Sequence, residues 1–127
     1  MNPRTLVLEI VTPDGMAVRE TDVDAVVLHR REARFELGSE IAVFPLHGPL
    51  LVRMPVGPAR YHKRGEQVHL AVGGGFAEVR GDRVLITTPR LERVAPEEPD
   101  PRAAVREICR KWREEMVDGR EGMIGYS

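Results

Sequence analysis

At 127 residues, 42% hydrophobic and 31% charged, the chain has the length and balance of one soluble domain with a short appendage. Its 19 basic and 20 acidic side chains nearly cancel, and neither end is strongly basic or acidic, which excludes the electrostatic footprint of a nucleic-acid binder or of a protein held on an anionic bilayer. One cysteine, Cys109, allows no internal disulfide, so the fold must stand on its core.

The N-terminal apolar run, Leu6 to Val11, is interrupted by Glu9 and is too short for a secretory signal core. No run approaches the ~20 apolar residues of a membrane helix. The expectation is a soluble, cytoplasmic chain without direct membrane insertion.

Up to residue 95 the chain reads as strands. "TLVLEIVT" (5–12) is rich in β-branched and aliphatic residues and stops at "PDG", a turn. "MAVRE" (16–20), "VDAVVLHR" (23–30), "EIAVF" (40–44) and "LLVRM" (50–54) follow. The last two flank the turn "PLHGP". "ARYHKR" (59–64) and "QVHLAV" (67–72) join through Gly65-Glu66. After "GGG" (73–75) come "FAEVR" (76–80), the turn dipeptide Gly81-Asp82 and "RVLITT" (83–88). Short strands at this spacing predict an antiparallel β-sandwich or barrel over residues 1–95.

"APEEPDP" (95–101) cannot continue a strand ladder and reads as a linker. Asp100 before Pro101 is a helix start, an N-cap residue followed by proline at the first helical position. From Arg102 to Val117 the apolar residues Val105, Ile108, Cys109, Trp112 and Met116 recur in steps of three, one, three and four, one helical stripe. Gly119 is the expected stop and the tail "REGMIGYS" reads as irregular. The appendage (96–127) is thus a linker and one short amphipathic helix. Such a helix is marginal alone, so the stripe must dock on the sandwich or on a partner.

Chemistry is sparse. His47, in the turn between two prolines, has no partner at metal-ligand spacing, nor have His29, His62 and His69. The glycine run lacks the following helix and Lys-Ser/Thr of a phosphate loop, and reads as a bulge or a close backbone approach. Cys109 lies on the apolar stripe, which favours packing over reactivity. No "GxSxG" nucleophile elbow occurs. "RREARFE" (30–36) interleaves its arginines with Glu32 and Glu36, a solvated loop. No catalytic residue, metal or cofactor is expected; the residues describe a binding or structural module.

Several stretches, in order, resemble the epsilon subunit of F-type (rotary) ATP synthase. "LEIVTPDG" is similar to the family's opening strand and turn, "VDAVVL" to its third strand, and "GSEIAVFPLHGPLL" to its "GEFGILPGHAPLL" element. "PVGPARYHKRGEQVHLAVGGGFAEVRGDRVLITT" is similar to its second half, with an "AVSGGFLEV"-like hairpin.

The resemblance implies a ten-stranded sandwich on the central stalk, with no catalytic activity of its own. It would be bound to the gamma subunit, seated on the membrane-embedded ring, and would transmit rotation for ion-driven ATP synthesis. It implies a peripheral position on the cytoplasmic face of the inner membrane. The C-terminal part of fuller members is a two-helix hairpin that reaches the catalytic alpha and beta subunits, inhibits hydrolysis and in some members binds ATP. Position by position, it implies Thr12, His47 and Val52 at the gamma interface and Glu40 at the ring. Departures are the longer segment 29–37, Ala42 for the second glycine of "GEFG", "PLHGP" for "PGHAP", and a single helix. Arg102 stands two positions after Asp100 where the family's ATP-binding pattern has three, so the register for ATP fails. The alternatives are a free-standing sandwich adaptor and a nucleotide-sensing regulatory module.

Overall fold

A computed structural model describes residues 4–32 and 37–124. Eight strands precede one helix: β1 (Leu6–Thr12), β2 (Gly15–Val23), β3 (Ala25–Arg31), β4 (Leu37–Val43), β5 (Leu50–Lys63), β6 (Glu66–Arg80), β7 (Arg83–Thr87), β8 (Leu91–Arg93) and α1 (Pro101–Ile124). The sandwich is as expected, but eight strands replace the ten implied by resemblance, because segments read separately are continuous. Residues 50–54 and 59–64 lie in the single strand β5, and 67–72 and 76–80 in β6. Pairing is antiparallel except between β1 and β7, which run parallel from Val7↔Arg83 to Val11↔Thr87.

The β5–β6 hairpin builds both layers. Its register is unbroken from Leu50↔Val79 to Lys63↔Glu66. Its tip is Arg64-Gly65, both at positive φ (52° and 78°), the backbone of a two-residue hairpin turn whose twist matches the strands. One half of the hairpin pairs with β7, and through it with β1 and β2; the other half pairs with β3 and β8, with β4 beyond β3.

Between the halves the alternation of side chains inverts. Val52 and Met54 face the core in the first layer, but Ala59 and Tyr61 do so in the second. In β6 the change is from Leu70 and Val72 to Ala77 and Val79. The inversion falls at Pro55 and, opposite it, Gly74 and Gly75, whose φ values are 87° and 106°. These are backbone conformations that residues with a Cβ rarely adopt. A Cβ on Gly75 would also lie 2.0 Å from the Thr87 carbonyl oxygen. The bend is clasped from the other side: the Gly73 amide donates to the Arg90 carbonyl at 2.8 Å and to Thr88 Oγ1 at 3.1 Å, and the Thr88 hydroxyl donates to the Arg90 carbonyl at 3.1 Å.

Leu6, Leu8 and Ile10 of β1, Val26 and Leu28 of β3, and Val84 and Ile86 of β7 fill the space between the layers. α1 extends beyond the expected stop, through Gly119 to Ile124. A glycine costs a helix only about 1 kcal/mol and forbids nothing, so without a left-handed cap the hydrogen bonding continues. The last three residues of the tail and positions 33–36 of the long loop lie outside the described residues.

Gly75→Ala is expected to lower the unfolding free energy by roughly 3 kcal/mol or more, because strain and a backbone clash add. Gly65→Ala, with open space around its Cβ, should lose only about 1 kcal/mol. Urea denaturation of the two variants checks the contrast; equal losses would show that the bend is not over-determined.

Candidate functional site

The helix covers the outer face of the second layer. Asp100 caps it: its Oδ1 accepts from the Ala103 amide at 3.1 Å, and its carbonyl accepts from Ala104. Val105, Cys109 and Trp112 are buried against Val56 and Ala71, with Ile108 and Val94 at the margin. Arg113 reaches across to donate to the Val56 carbonyl at 3.3 Å. The Arg90 guanidinium lies over the Trp112 ring, 4.7 Å from its centre, and pairs with Glu115. Burial pushes the Cys109 thiol up, which keeps it protonated and unreactive. Met116 departs from the expected stripe. It is 43% exposed and borders the open cleft at the bend, beside Phe76 and Arg53, because the seat formed by Val56 and Ala71 ends before it.

Under the first turns of α1 the seam is basic. His29, Arg60, His69, Arg102 and Arg106 line it together with a single carboxylate, Glu40. Glu40 sits within β4 rather than in a loop, opposite His29. Arg60 donates to both its oxygens at 3.2 and 3.4 Å, and His29 Nε2 is 3.8 Å away. The Arg60 hydrogen bonds hold the Glu40 carboxyl below the usual range against a smaller opposing effect of burial. Burial, then Arg102, Arg60 and His62, hold the His69 imidazole below its ordinary value. Among the described residues no three His, Cys, Asp or Glu converge on a point where a metal would sit.

Among the described residues nothing covers the first layer's outer face. Strand pairing sets Met16, Val11, Thr87, Phe76 and Arg53 in one row across five strands, and Arg19, Glu9, Leu85, Glu78 and Leu51 in the next. Leu51 is 69% exposed and Phe76 48%. Arg53 lies over the Phe76 ring at 5.7 Å. In the second row Glu9 pairs with Arg19 and with the adjacent Arg83, and Glu78 with the adjacent Arg80, while the charge of the first row, Arg53, is the one held over Phe76. What remains is an apolar strip framed by neutralised polar groups, the composition of a protein-binding surface.

The implied interface residues do not converge. Val52 is a correction: its side chain is only 2% exposed and belongs to the core, because alternation along β5 sends its neighbours Leu51 and Arg53 outward. Thr12 closes β1, where its Oγ1 accepts from the Asp14 amide at 3.3 Å. His47 lies in the β4–β5 turn at the other end of the layer, its Nδ1 2.8 Å from the Gly48 carbonyl oxygen. Glu40 stands in the other layer. The residues that sequence reading missed, Leu51, Phe76 and Met16, were signalled by alternation in "LLVRM" and "FAEVR": in each segment one parity is needed for the core and the other is left with a large apolar group.

A family model described as "ATP synthase, Delta/Epsilon chain, beta-sandwich domain" matches residues 5–94. The chain belongs to this family. The match coincides with the sandwich and ends before α1. The ATP synthase epsilon chain of Shouchella clausii is 40% identical over 96 residues, 76% of this chain and 65% of that one. The epsilon chain of Bacillus subtilis is 36% identical, over 70% of this chain and 62% of its own length. The chain thus spans a little under two thirds of these epsilon-chain relatives. Among solved structures, a chain of the Euglena gracilis mitochondrial ATP synthase (OSCP/F1/c-ring) has a TM-score of 0.63 at 23% identity, covering 77% of this chain and 57% of that one. A chain of the Tetrahymena thermophila central stalk and c-ring has a TM-score of 0.58 at 15% identity, covering 93% and 95%. At those identities the likeness is one of fold.

Docking of α1 in this family member should respond to pH. The folded state disfavours protonated His69, so stability is complete above the ordinary histidine value near 6.5 and declines as pH falls through it. Arg102, Arg60 and His62 act on the imidazole, Arg106 lines the same seam, and Glu40 is already engaged by Arg60. Quenching of Trp112 fluorescence by acrylamide is expected to be weak at pH 7.5 and to grow toward pH 5, and His69→Gln should flatten that change. Strong quenching at pH 7.5 would contradict the docked helix.

Proposed function

We propose that the chain is a non-catalytic central-stalk subunit of an F-type ATP synthase, joined to the gamma subunit and to the membrane-embedded ring. In this reading it carries ion-driven rotation toward ATP synthesis and sits peripherally on the cytoplasmic face of the membrane. The observation that carries the reading is the match of the whole sandwich, residues 5–94, to the delta/epsilon family. No helix among the described residues is long and apolar enough to cross a membrane; in this reading the attachment runs through protein partners.

The architecture suits a mechanical part. The β5–β6 hairpin runs through both layers, so a load applied to one face is shared by the whole sheet rather than by one loop. The outer face of the second layer is occupied by the protein's own helix. The gamma subunit therefore takes the first layer's outer face, with Leu51 and Phe76 as apolar anchors and the paired charges of Glu9, Glu78, Arg19 and Arg80 as the rim. A durable contact of this type buries about 1,600 Å² in total, a scale the five-strand face accommodates.

Mixed with the gamma subunit of the same organism, the protein should co-elute from a sizing column at one-to-one mass by light scattering. Leu51→Glu and Phe76→Glu should each weaken the complex by at least about 10-fold, since each buries a charge in the apolar strip. Separate peaks at micromolar concentration would overturn the reading, and unchanged affinity in both variants would move the interface elsewhere.

A further inference from the structure

The inversion at the bend leaves a hollow as well as two faces. Where β5 and β6 change parity, the floor is the bare backbone of Gly73, Gly74 and Gly75, facing Pro55 and Val56. Glycine meets the conformational demand there, with φ 87° at Gly74 and 106° at Gly75, and brings no side chain to fill the space. The result is a cleft of about 290 Å³ between the sheet and the second half of α1. That volume stands near the lower end of small-molecule sites, about 300–1,000 Å³.

Its lining has two chemistries. Phe76 from β6 and Met116 from α1 are large apolar groups, both more than two-fifths exposed. Arg31, Arg53 and Arg113 supply three guanidinium groups, and among the described residues no carboxylate lines the cleft. Arg53 stands opposite Phe76 in the strand register and lies over its ring. Arg113 is fixed by its donation to the Val56 carbonyl, which engages one of its five N–H donors. Neither Arg53 nor Arg113 has a carboxylate partner among the described residues, whereas Arg19, Arg80 and Arg83 on the adjoining face each have one. The basic seam under the first turns of α1 differs, since Glu40 already engages Arg60 there.

We propose that this cleft binds a small amphiphilic oxyanion: a carboxylate, phosphate or sulfate group on an apolar body. Arg53 and Arg113 hold the oxyanion, each guanidinium fork matching two oxygens at once, and the apolar body lies against Phe76 and Met116. The ligand is a free molecule rather than a bilayer headgroup. Three arginines in a re-entrant bend fall short of the cluster of about four to eight cations that holds a protein on an anionic surface, and the chain's net charge is −1. The proposal does not rest on the stalk reading. Phe76 is common to both, so the ligand sits at the border of the open face.

The test is calorimetric titration of the full chain with hexyl phosphate, a monomeric amphiphile, beside inorganic phosphate and hexanol. Hexyl phosphate should bind at one site with a Kd below about 1 mM, at least about 10-fold tighter than either inorganic phosphate or hexanol. Arg53→Gln should weaken it about 10-fold and Met116→Ala about 3-fold. Both positions are exposed, so parent-like melting is expected of each variant. Amide NMR shifts on binding should map to residues 73–76 and 113–116. No saturable binding up to about 10 mM sinks the proposal. So does inorganic phosphate binding as tightly as hexyl phosphate, binding that shifts His29 and His69 instead, or binding that both variants leave unchanged. Capture by phosphatidylglycerol vesicles without binding of hexyl phosphate would assign the arginines to a lipid surface and overturn the free ligand. A protein that binds hexyl phosphate as stated but forms no complex with gamma keeps this proposal and sinks the stalk reading alone.

Discussion

The inversion of side-chain alternation in the β5–β6 hairpin is the constraint on which the rest depends. Both strands keep one register through the bend, yet the residues facing the core change parity at Pro55 and at Gly74-Gly75. Because of it, Val56 and Ala71 point outward in the second layer and form the seat of α1. Because of it, Leu51 and Phe76 point outward in the first layer, where no element among the described residues covers them. Residues with a Cβ rarely take the required backbone there, a Cβ on Gly75 would clash with the Thr87 carbonyl, and Thr88 locks the result by bridging the Gly73 amide and the Arg90 carbonyl.

Two unlike faces follow from this geometry. One is closed by the helix, with an aromatic ring under a guanidinium and a basic seam whose single carboxylate is shared by Arg60 and His29. The other is open, apolar along a strip and neutral at its border. A near-zero net charge fits this division, since attachment depends on shape and apolar contact rather than on long-range steering.

Much of this was legible in the chain. Alternation and turn dipeptides placed most strands, and Asp100-Pro101 placed the start of the helix to the residue, because both signals are local. Continuity through the bend was not legible. "GGG" and "PVGP" look like interruptions to any reading by segment, and only the partner strand reveals that the register survives them. Gly119 misled for a related reason: a glycine weakens a helix without ending it. Val52 was misplaced because resemblance assigns a position in the chain, whereas the face a side chain takes is set by parity within its strand. The left-handed φ of Leu46 is visible only once the backbone is known, although "PLHGP" already departed from a turn with glycine at its second position.

The central claim is that one face is satisfied within the chain and the other awaits a partner. Amide hydrogen exchange, followed on the protein alone and with the gamma subunit bound, tests it most directly. In the free protein the account predicts slow exchange over the docked half of α1, residues 101–116, unchanged on binding. New protection should appear in β1, β7, the Phe76–Arg80 half of β6, the Leu50–Met54 half of β5 and the Phe44–His47 turn. Fast exchange in α1 of the free protein, or protection gained on the helix side while the open face stays unchanged, would contradict it.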